Sequence, residues 1–174
     1  MEINSERLVL APLGTQYFKT TLGYSTDLEN TKYMVFLPLE NREEVRQFLE
    51  NAEKEMKKDH PTYYEFAIIL NHQHIGAVSV YFDDSPECGE LGWILAKEYW
   101  GNGYVCEAAK AIVKYFAEEM NINHFIAHCD SENYASRRVM EKLGMHFVRQ
   151  YGGRKNRSSD EMREECLYEL MIGE

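Results

Sequence analysis

Two glycines one residue apart, in Trp100-Gly101-Asn102-Gly103-Tyr104-Val105, constrain this chain more than any other feature, because they sit between an apolar strand-like run and a long amphipathic helix pattern. Without a Cβ the backbone can turn sharply there, so successive N–H groups can converge on one concavity at the start of the helix. A helix N-terminus carries partial positive charge and unpaired donors, which suits a phosphate or pyrophosphate. Read alone, the pair is equally an ordinary turn. The two common nucleotide-binding patterns do not fit. Cys106 stands where a dinucleotide fingerprint needs a third small residue, and Gly-Lys-Ser/Thr occurs nowhere.

On the strand side, Glu90 to Ala96 alternates Leu91, Trp93 and Leu95 with Glu90, Gly92 and Ile94. On the helix side, Val105, Ala108, Ala109, Ile112, Val113 and Phe116 form an apolar stripe between Tyr104 and about Met120. Glu107, Lys110, Lys114 and Glu118 share the opposite, wet face.

At 174 residues, 44% hydrophobic and 28% charged, the chain suits one folded domain over residues 1–174 and shows no repeat or linker. Its apolar runs are too short for a membrane span, and Glu2 and Glu6 stand where a secretion signal would be basic; a cytoplasmic protein with no membrane partner is expected. Cys88, Cys106, Cys129 and Cys166 are scattered, with no Cys-x-x-Cys pair. His72 and His74 flank a hairpin turn, while His124 and His128 share a strand face too far apart to chelate, so no metal site is expected and all four histidines read as surface or core residues. The net charge of −10 argues against a nucleic-acid partner. It suits a cationic substrate, although the same balance serves simply to keep a protein in solution.

Elsewhere, Arg7 to Leu13 reads as a strand and is followed by polar, weakly patterned segments. Asn41 to Lys58 reads as a helix capped by Asn41, with Val45, Phe48, Leu49, Ala52 and Met56 at helical spacing. Glu65–Leu70 and Ile75–Phe82 form a hairpin around Asn71-His72-Gln73-His74. A strand from about His124 to Cys129 leads into a helix ending at Gly144, whose buried face is Ala135, Val139, Met140 and Leu143. Phe147–Tyr151 and Cys166–Ile172 make a last antiparallel pair joined by the polar stretch from Gly152 to Glu165. Such an order gives a mixed, mostly antiparallel α/β sheet with helices on both faces.

The glycine segment, extended as Tyr99-Trp100-Gly101-Asn102-Gly103-Tyr104 with Glu107-Ala108 after it, is followed at the right distance by Asn133-Tyr134-Ala135-Ser136, whose helix ends in Leu143-Gly144. Together these resemble the GNAT superfamily of acyl-coenzyme-A-dependent N-acetyltransferases, and within it the branch of ribosomal-protein N-terminal acetyltransferases. The resemblance is close from Glu90 to Phe147 and extends elsewhere only in pattern and length. It implies a central sheet whose fourth and fifth strands splay into a V-shaped cofactor cleft. It also implies an enzyme that transfers acetyl from acetyl-coenzyme A to a primary amine, of a protein N-terminus or a small molecule, by direct attack in a ternary complex. The alternative is a non-catalytic acetyl-coenzyme-A-binding or sensing module. A monomer and a homodimer both fit.

By this resemblance the pyrophosphate rests on the amides of Gly101, Asn102, Gly103, Tyr104 and Val105, and the pantetheine arm pairs like an extra strand with backbone near Ile94, Leu95 and Ala96. One N–H near Ile94 or Leu95 polarises the thioester carbonyl. Asn133 bonds the pantetheine amides, a role compatible with capping its helix. Many family members carry a thiolate-protonating tyrosine where this chain has Met140, and Ser136, one turn earlier, is the replacement candidate, with Tyr134 or water as alternatives. A protonated amine must lose a proton before attack. Glu90 is the candidate base, with Glu65, Glu161 and Asp160 also open. The Arg154–Arg163 stretch reads as a substrate lid or a solvated hairpin loop; Tyr24, Tyr33, Met34, Phe36, Tyr63 and Tyr64 read as a cleft wall or as core.

Overall fold

The computed structural model describes residues 1–82 and 87–173. The elements run β1 (Ile3–Asn4), β2 (Leu8–Pro12), a 3₁₀ turn, α1 (Phe18–Ser25), α2 (Arg42–Glu55), β3 (Tyr63–Leu70), β4 (Gln73–Phe82), β5 (Cys88–Leu95), a second 3₁₀ turn, α3 (Tyr104–Met120), β6 (His124–Asp130), α4 (Tyr134–Leu143), β7 (His146–Lys155) and β8 (Met162–Met171). The strands form one sheet in the order β1-β2-β3-β4-β5-β6-β8-β7, antiparallel except where β5 meets β6. This is the mixed, mostly antiparallel α/β architecture expected from the sequence.

Helix boundaries follow local chemistry. The Asn41 side chain accepts from the Glu44 N–H while the Glu44 carboxylate accepts from the Glu40 N–H, so two orphan donors are satisfied at the start of α2. Asn133 likewise caps α4 by accepting from the Ser136 N–H, and left-handed Gly144 ends it. One face of the sheet packs Leu8, Phe66, Val78, Val80, Leu91 and Leu95 against Ala108, Ile112 and Phe116 of α3 and Met140 of α4. The other packs Leu13, Ala67 and Ala77 against Val45 and Leu49 of α2. Helices therefore cover both faces.

Several expectations need correction. The polar stretch after β2 contains α1, which buries Thr21, Tyr24 and Ser25, so an apolar periodicity could not reveal it. The β3–β4 turn is only two residues, Asn71 and His72, with φ of 47° and 66°, the twist that suits a tight hairpin. Ala135 is exposed, leaving Met140 as the buried residue of α4. Glu107 is not on a wet face: it accepts from the Ser5 hydroxyl and from the backbone and guanidinium of Arg7, tying α3 to the segment before β2. β7 and β8 extend to Lys155 and back to Met162, so most of the stretch read as a long connection is strand.

The sheet opens at one place. Parallel pairing of β5 with β6 is confined to Cys88↔His124, Gly89↔Phe125 and Glu90↔Ile126, although β5 runs on to Leu95 and β6 to Asp130. Pairing on the far sides is continuous, so the two strands diverge as a wedge.

Candidate active site

Backbone parity decides what lines the wedge. Ala96 donates to the Ile75 carbonyl at 2.9 Å, and with the register Gly76↔Leu95 this makes Ile75/Ala96, Ala77/Ile94 and Ser79/Gly92 the bonded pairs of β4 with β5. Ile94 and Ala96 therefore spend their N–H groups on β4. The groups of Trp93 and Leu95 point into the wedge, where the Leu95 carbonyl accepts the Trp100 indole N–H at 2.8 Å. The edge that an added strand would meet is that of Trp93 and Leu95. Sequence alternation alone could not assign it, because it fixes side-chain faces and leaves the bonded phase open.

The glycine turn stands at the mouth of the wedge. Gly101 and Gly103 both have φ of 79°, and a Cβ at Gly101 would meet no atom within 4 Å, so the turn is open to solvent. Asn102 holds the turn by donating to the carbonyls of Tyr99 and Trp100, and Gly103 caps α3, whose first N–H groups lack intrahelical partners. Arg7, which sequence reading did not single out, donates to the Asn102 carbonyl and lies 4.6 Å above the Tyr104 ring. Beside the turn a hollow of about 590 Å³ is lined by Lys110, Lys114 and Lys142 together with Glu6 and Glu107, the second of which is paired with Arg7. The backbone dipole at the start of α3 favours an anion there, and the lysines outnumber the one carboxylate left without a guanidinium.

Across the wedge, the Trp93 indole N–H donates to the Ser136 hydroxyl oxygen at 3.0 Å, so Ser136 keeps its own proton for another acceptor. Met140 is buried in the core, and α4 offers no phenol at that position. Tyr134 is exposed, with the Arg137 guanidinium over its ring.

On the opposite face, Glu90 accepts from His128 Nδ1 at 2.8 Å, bridging β5 and β6 just where they begin to part. The Glu90 carboxylate raises the His128 pKa by hydrogen bonding and charge, against a smaller lowering by burial. His128 is thus half-buried and paired; the adjacency of β5 and β6, which puts Glu90 and His128 on one face, was not visible along the sequence. His74 fits its reading as a core residue: burial depresses its pKa to about 4, and it links Thr20 of α1 to the Gly76 carbonyl. Two strands away, buried Glu65 accepts from the Tyr81 hydroxyl, and burial pushes its pKa up to about 7 against the lowering effect of that bond. Asp160 and Glu161 are exposed at the tip of the β7–β8 connection.

That connection is neither free nor simply solvated. Arg154 ion-pairs with Glu165 and donates to the Tyr33 carbonyl, the Arg157 N–H donates to the Met34 carbonyl, and the Arg157 guanidinium reaches Glu40 and Glu44. Arg163 grips fully buried Asp130 through two bonds of 2.9 and 3.0 Å, and Asn156 adds a third at 2.7 Å. Burial alone would raise the Asp130 pKa, but these donors and the Glu132 N–H hold it below the usual carboxylate value. Tyr33 and Phe36 thus lie in a segment bound to the connection, with Phe36 83% exposed, while Tyr24 and Tyr64 are core.

A family model described as an acetyltransferase (GNAT) domain matches residues 7–146. The chain belongs to the GNAT acetyltransferase family. It is 32% identical to an uncharacterized N-acetyltransferase, YnaD, of Bacillus subtilis (strain 168), over 83% of this chain and 82% of that protein. The crystal structure of a GNAT-family acetyltransferase from Bacillus anthracis superposes with a TM-score of 0.86 at 28% identity, covering all of both chains. A ribosomal L7/L12 alpha-N-protein acetyltransferase in complex with coenzyme A shares the fold, with a TM-score of 0.86 at 15% identity over 99% of this chain and 98% of that one. This GNAT protein is therefore an acetyltransferase enzyme rather than the non-catalytic module that the sequence left open. Among the described residues no group of histidine, cysteine or carboxylate side chains is arranged to hold a metal, and no helix is long and apolar enough to cross a membrane.

Proposed function

We propose that this enzyme transfers acetyl from acetyl-coenzyme A to a primary amine, of a protein N-terminus or a small molecule, by direct attack with both substrates bound. The reading rests above all on one observation: the β5–β6 wedge opens beyond Glu90↔Ile126 with the left-handed glycine turn at its mouth. These residues fit the coenzyme, since an open turn with φ of 79° at two glycines presents amides to a pyrophosphate and an unpaired strand edge accepts an extended amide chain.

In this reading the amides of Gly101, Asn102, Gly103, Tyr104 and Val105 hold the pyrophosphate, and the edge of Trp93 and Leu95 holds the arm, with Ile94 and Ala96 supporting it from the β4 side. Asn133, whose Oδ1 caps α4, keeps its amide N–H₂ for the arm's carbonyls. The coenzyme supplies an acetyl group activated as a thioester. A chain entering past the glycine turn meets Leu95 first and Trp93 last, so the Trp93 N–H polarises the acetyl carbonyl. Ser136 Oγ, oriented by the Trp93 indole, holds the proton that the departing sulfur takes up. From the other face Glu90 fixes the His128 tautomer through Nδ1 and leaves Nε2 to accept a proton from the amine.

Incubating the protein with acetyl-coenzyme A and peptides beginning with Ser, Thr or Ala, polyamines or amino acids, with free thiol as the readout, tests the reading. Thiol release that requires one of these amines is expected. Coenzyme binding without amine-dependent release would refute it.

A further inference from the structure

An alkylammonium that becomes an amide loses two protons from nitrogen, one before it can attack and one afterwards. The Glu90–His128 pair accounts for one acceptor. A second lies on the same face, across Gly92. Tyr81 of β4 is the direct cross-strand partner of Glu90, and a Cβ placed at Gly92 would stand 3.9 Å from the Tyr81 ring, so the phenol borders the same open surface over β5. Tyr81 is 41% exposed as a residue, although burial and the nearby Glu65 charge raise the pKa of its hydroxyl, while Glu65, which takes its hydrogen bond, is only 4% exposed. The Tyr81 hydroxyl, which donates to Glu65, therefore links this face to the buried carboxylate.

Resting on the acetyl-transfer reading, we propose that Tyr81 and Glu65 form the relay that strips the acceptor ammonium of its first proton. The ammonium N–H passes its proton to the Tyr81 oxygen as the Tyr81 O–H proton passes to the Glu65 carboxylate. The products are a neutral amine, an unchanged phenol and a protonated carboxyl, which later releases the proton to water.

The surroundings suit a carboxyl that takes and returns a proton near neutrality. Tyr63 of β3 stacks on Tyr81 at 5.4 Å, and the Ser79 hydroxyl of β4 donates to the Tyr81 oxygen. From α1, Tyr24 is close enough for the Glu65 charge to help raise its pKa, while Glu55 of α2 acts on Tyr63. Glu90 of β5 adjoins Tyr81, and beyond it stands His128 of β6. Burial, opposed by one phenolic donor, leaves Glu65 at about 7, where a proton acceptor works best at neutral pH.

The test uses Glu65→Gln and Tyr81→Phe in the full chain. Infrared titration of the ligand-free protein should show a carboxyl ionising near neutrality that vanishes in Glu65→Gln and moves to higher pH in Tyr81→Phe, which removes the donor favouring the ionised form. With whichever of a Ser-, Thr- or Ala-initiated peptide, spermidine or glycinamide the wild type acetylates, both variants should lose about a hundred-fold in kcat/KM at pH 7. The loss should close as pH rises through the amine's own pKa, about 8 for a peptide N-terminus and about 10 for an alkylamine, and coenzyme A affinity should be unchanged. A defect equal at every pH, or no carboxyl titrating near neutrality, overturns the relay while leaving acetyl transfer intact. A wild type that binds acetyl-coenzyme A yet acetylates none of these amines overturns both.

Discussion

The indole nitrogen of Trp93 and the hydroxyl of Ser136 meet at 3.0 Å across the opening between β5 and α4. The contact joins the strand edge that faces the coenzyme arm to the group positioned to protonate sulfur. Because Trp93 can only donate, the serine proton is directed elsewhere. Ser136→Ala should therefore lower kcat by roughly ten- to a thousand-fold with little change in KM for acetyl-coenzyme A. Trp93→Phe should lower it less, since the hydroxyl remains and only its orientation is lost. Steady-state kinetics of the two variants check the order.

At the glycine turn, Gly103→Val forces a β-branched residue to φ of 79°, while its Cβ meets only the Arg7 guanidinium, at 3.8 Å. Strain rather than a clash sets the cost, on the order of 1–2 kcal/mol, and the turn should relax away from the geometry that aims its amides. Calorimetry should show coenzyme A bound at least tenfold more weakly by a variant that remains folded. Undiminished affinity would mean that the amides of this turn do not hold the pyrophosphate.

Glu90 raises the pKa of His128, so the imidazole becomes neutral only above its ordinary value of 6.5. The acidic limb of the kcat/KM profile should accordingly lie above 6.5 in the wild type, where His128 and Glu65 both titrate; in Glu90→Gln the His128 contribution should move to lower pH and leave that of Glu65, with a reduced plateau because the tautomer is no longer fixed. The ion pair stabilises the fold fully below the unfolded-state pKa, and its contribution disappears as pH rises through the raised folded value.

Glu65 gives the opposite stability signature to a salt-bridged carboxylate. Its folded pKa of about 7 lies above the ordinary carboxylate value of 4.5, so between these values the native state binds more protons than the unfolded one and stability falls as pH rises. Glu65→Gln should raise Tm at pH 8 by several degrees, roughly, and change it little at pH 4.5. Thermal unfolding at the two pH values decides the matter.

Asp130 links Arg163 and Asn156 to the turn that precedes α4; in Asp130→Asn the Arg163 guanidinium keeps Glu132 at 2.6 Å, but a buried amide N–H₂ replaces an acceptor among donors. A loss of about 1–3 kcal/mol is expected. Exposed Arg157→Ala, which removes two partly exposed ion pairs, should cost about 1 kcal/mol or less. Chemical denaturation would separate the two.

What could be read in advance divides along physical lines. α2 and α3 were legible because apolar residues recur at helical spacing and their ends carry Asn41 and Gly103. α1 was not, since it buries polar Thr21 and Ser25. The two motifs located the wedge, but the bonded phase that turns Trp93 rather than Ile94 toward it depends on which neighbour β5 pairs with. His128 acquired a partner only when β6 was laid beside β5, and Tyr81 acquired Glu65 only through the β3–β4 register. Pairings between distant strands are the information that a linear pattern lacks.

The sheet order also has a temporal side. β8 lies between β6 and β7, although β7 precedes it along the chain. During synthesis a nascent polypeptide that has released everything through β7 has no neighbour for that strand, and β6 still bears an open edge. Only β8 closes both, and Arg163, which secures the turn before α4, arrives with it. The enzyme must therefore acquire its working geometry only once β8 has emerged, after a period in which two strand edges stand ready for pairing with other chains.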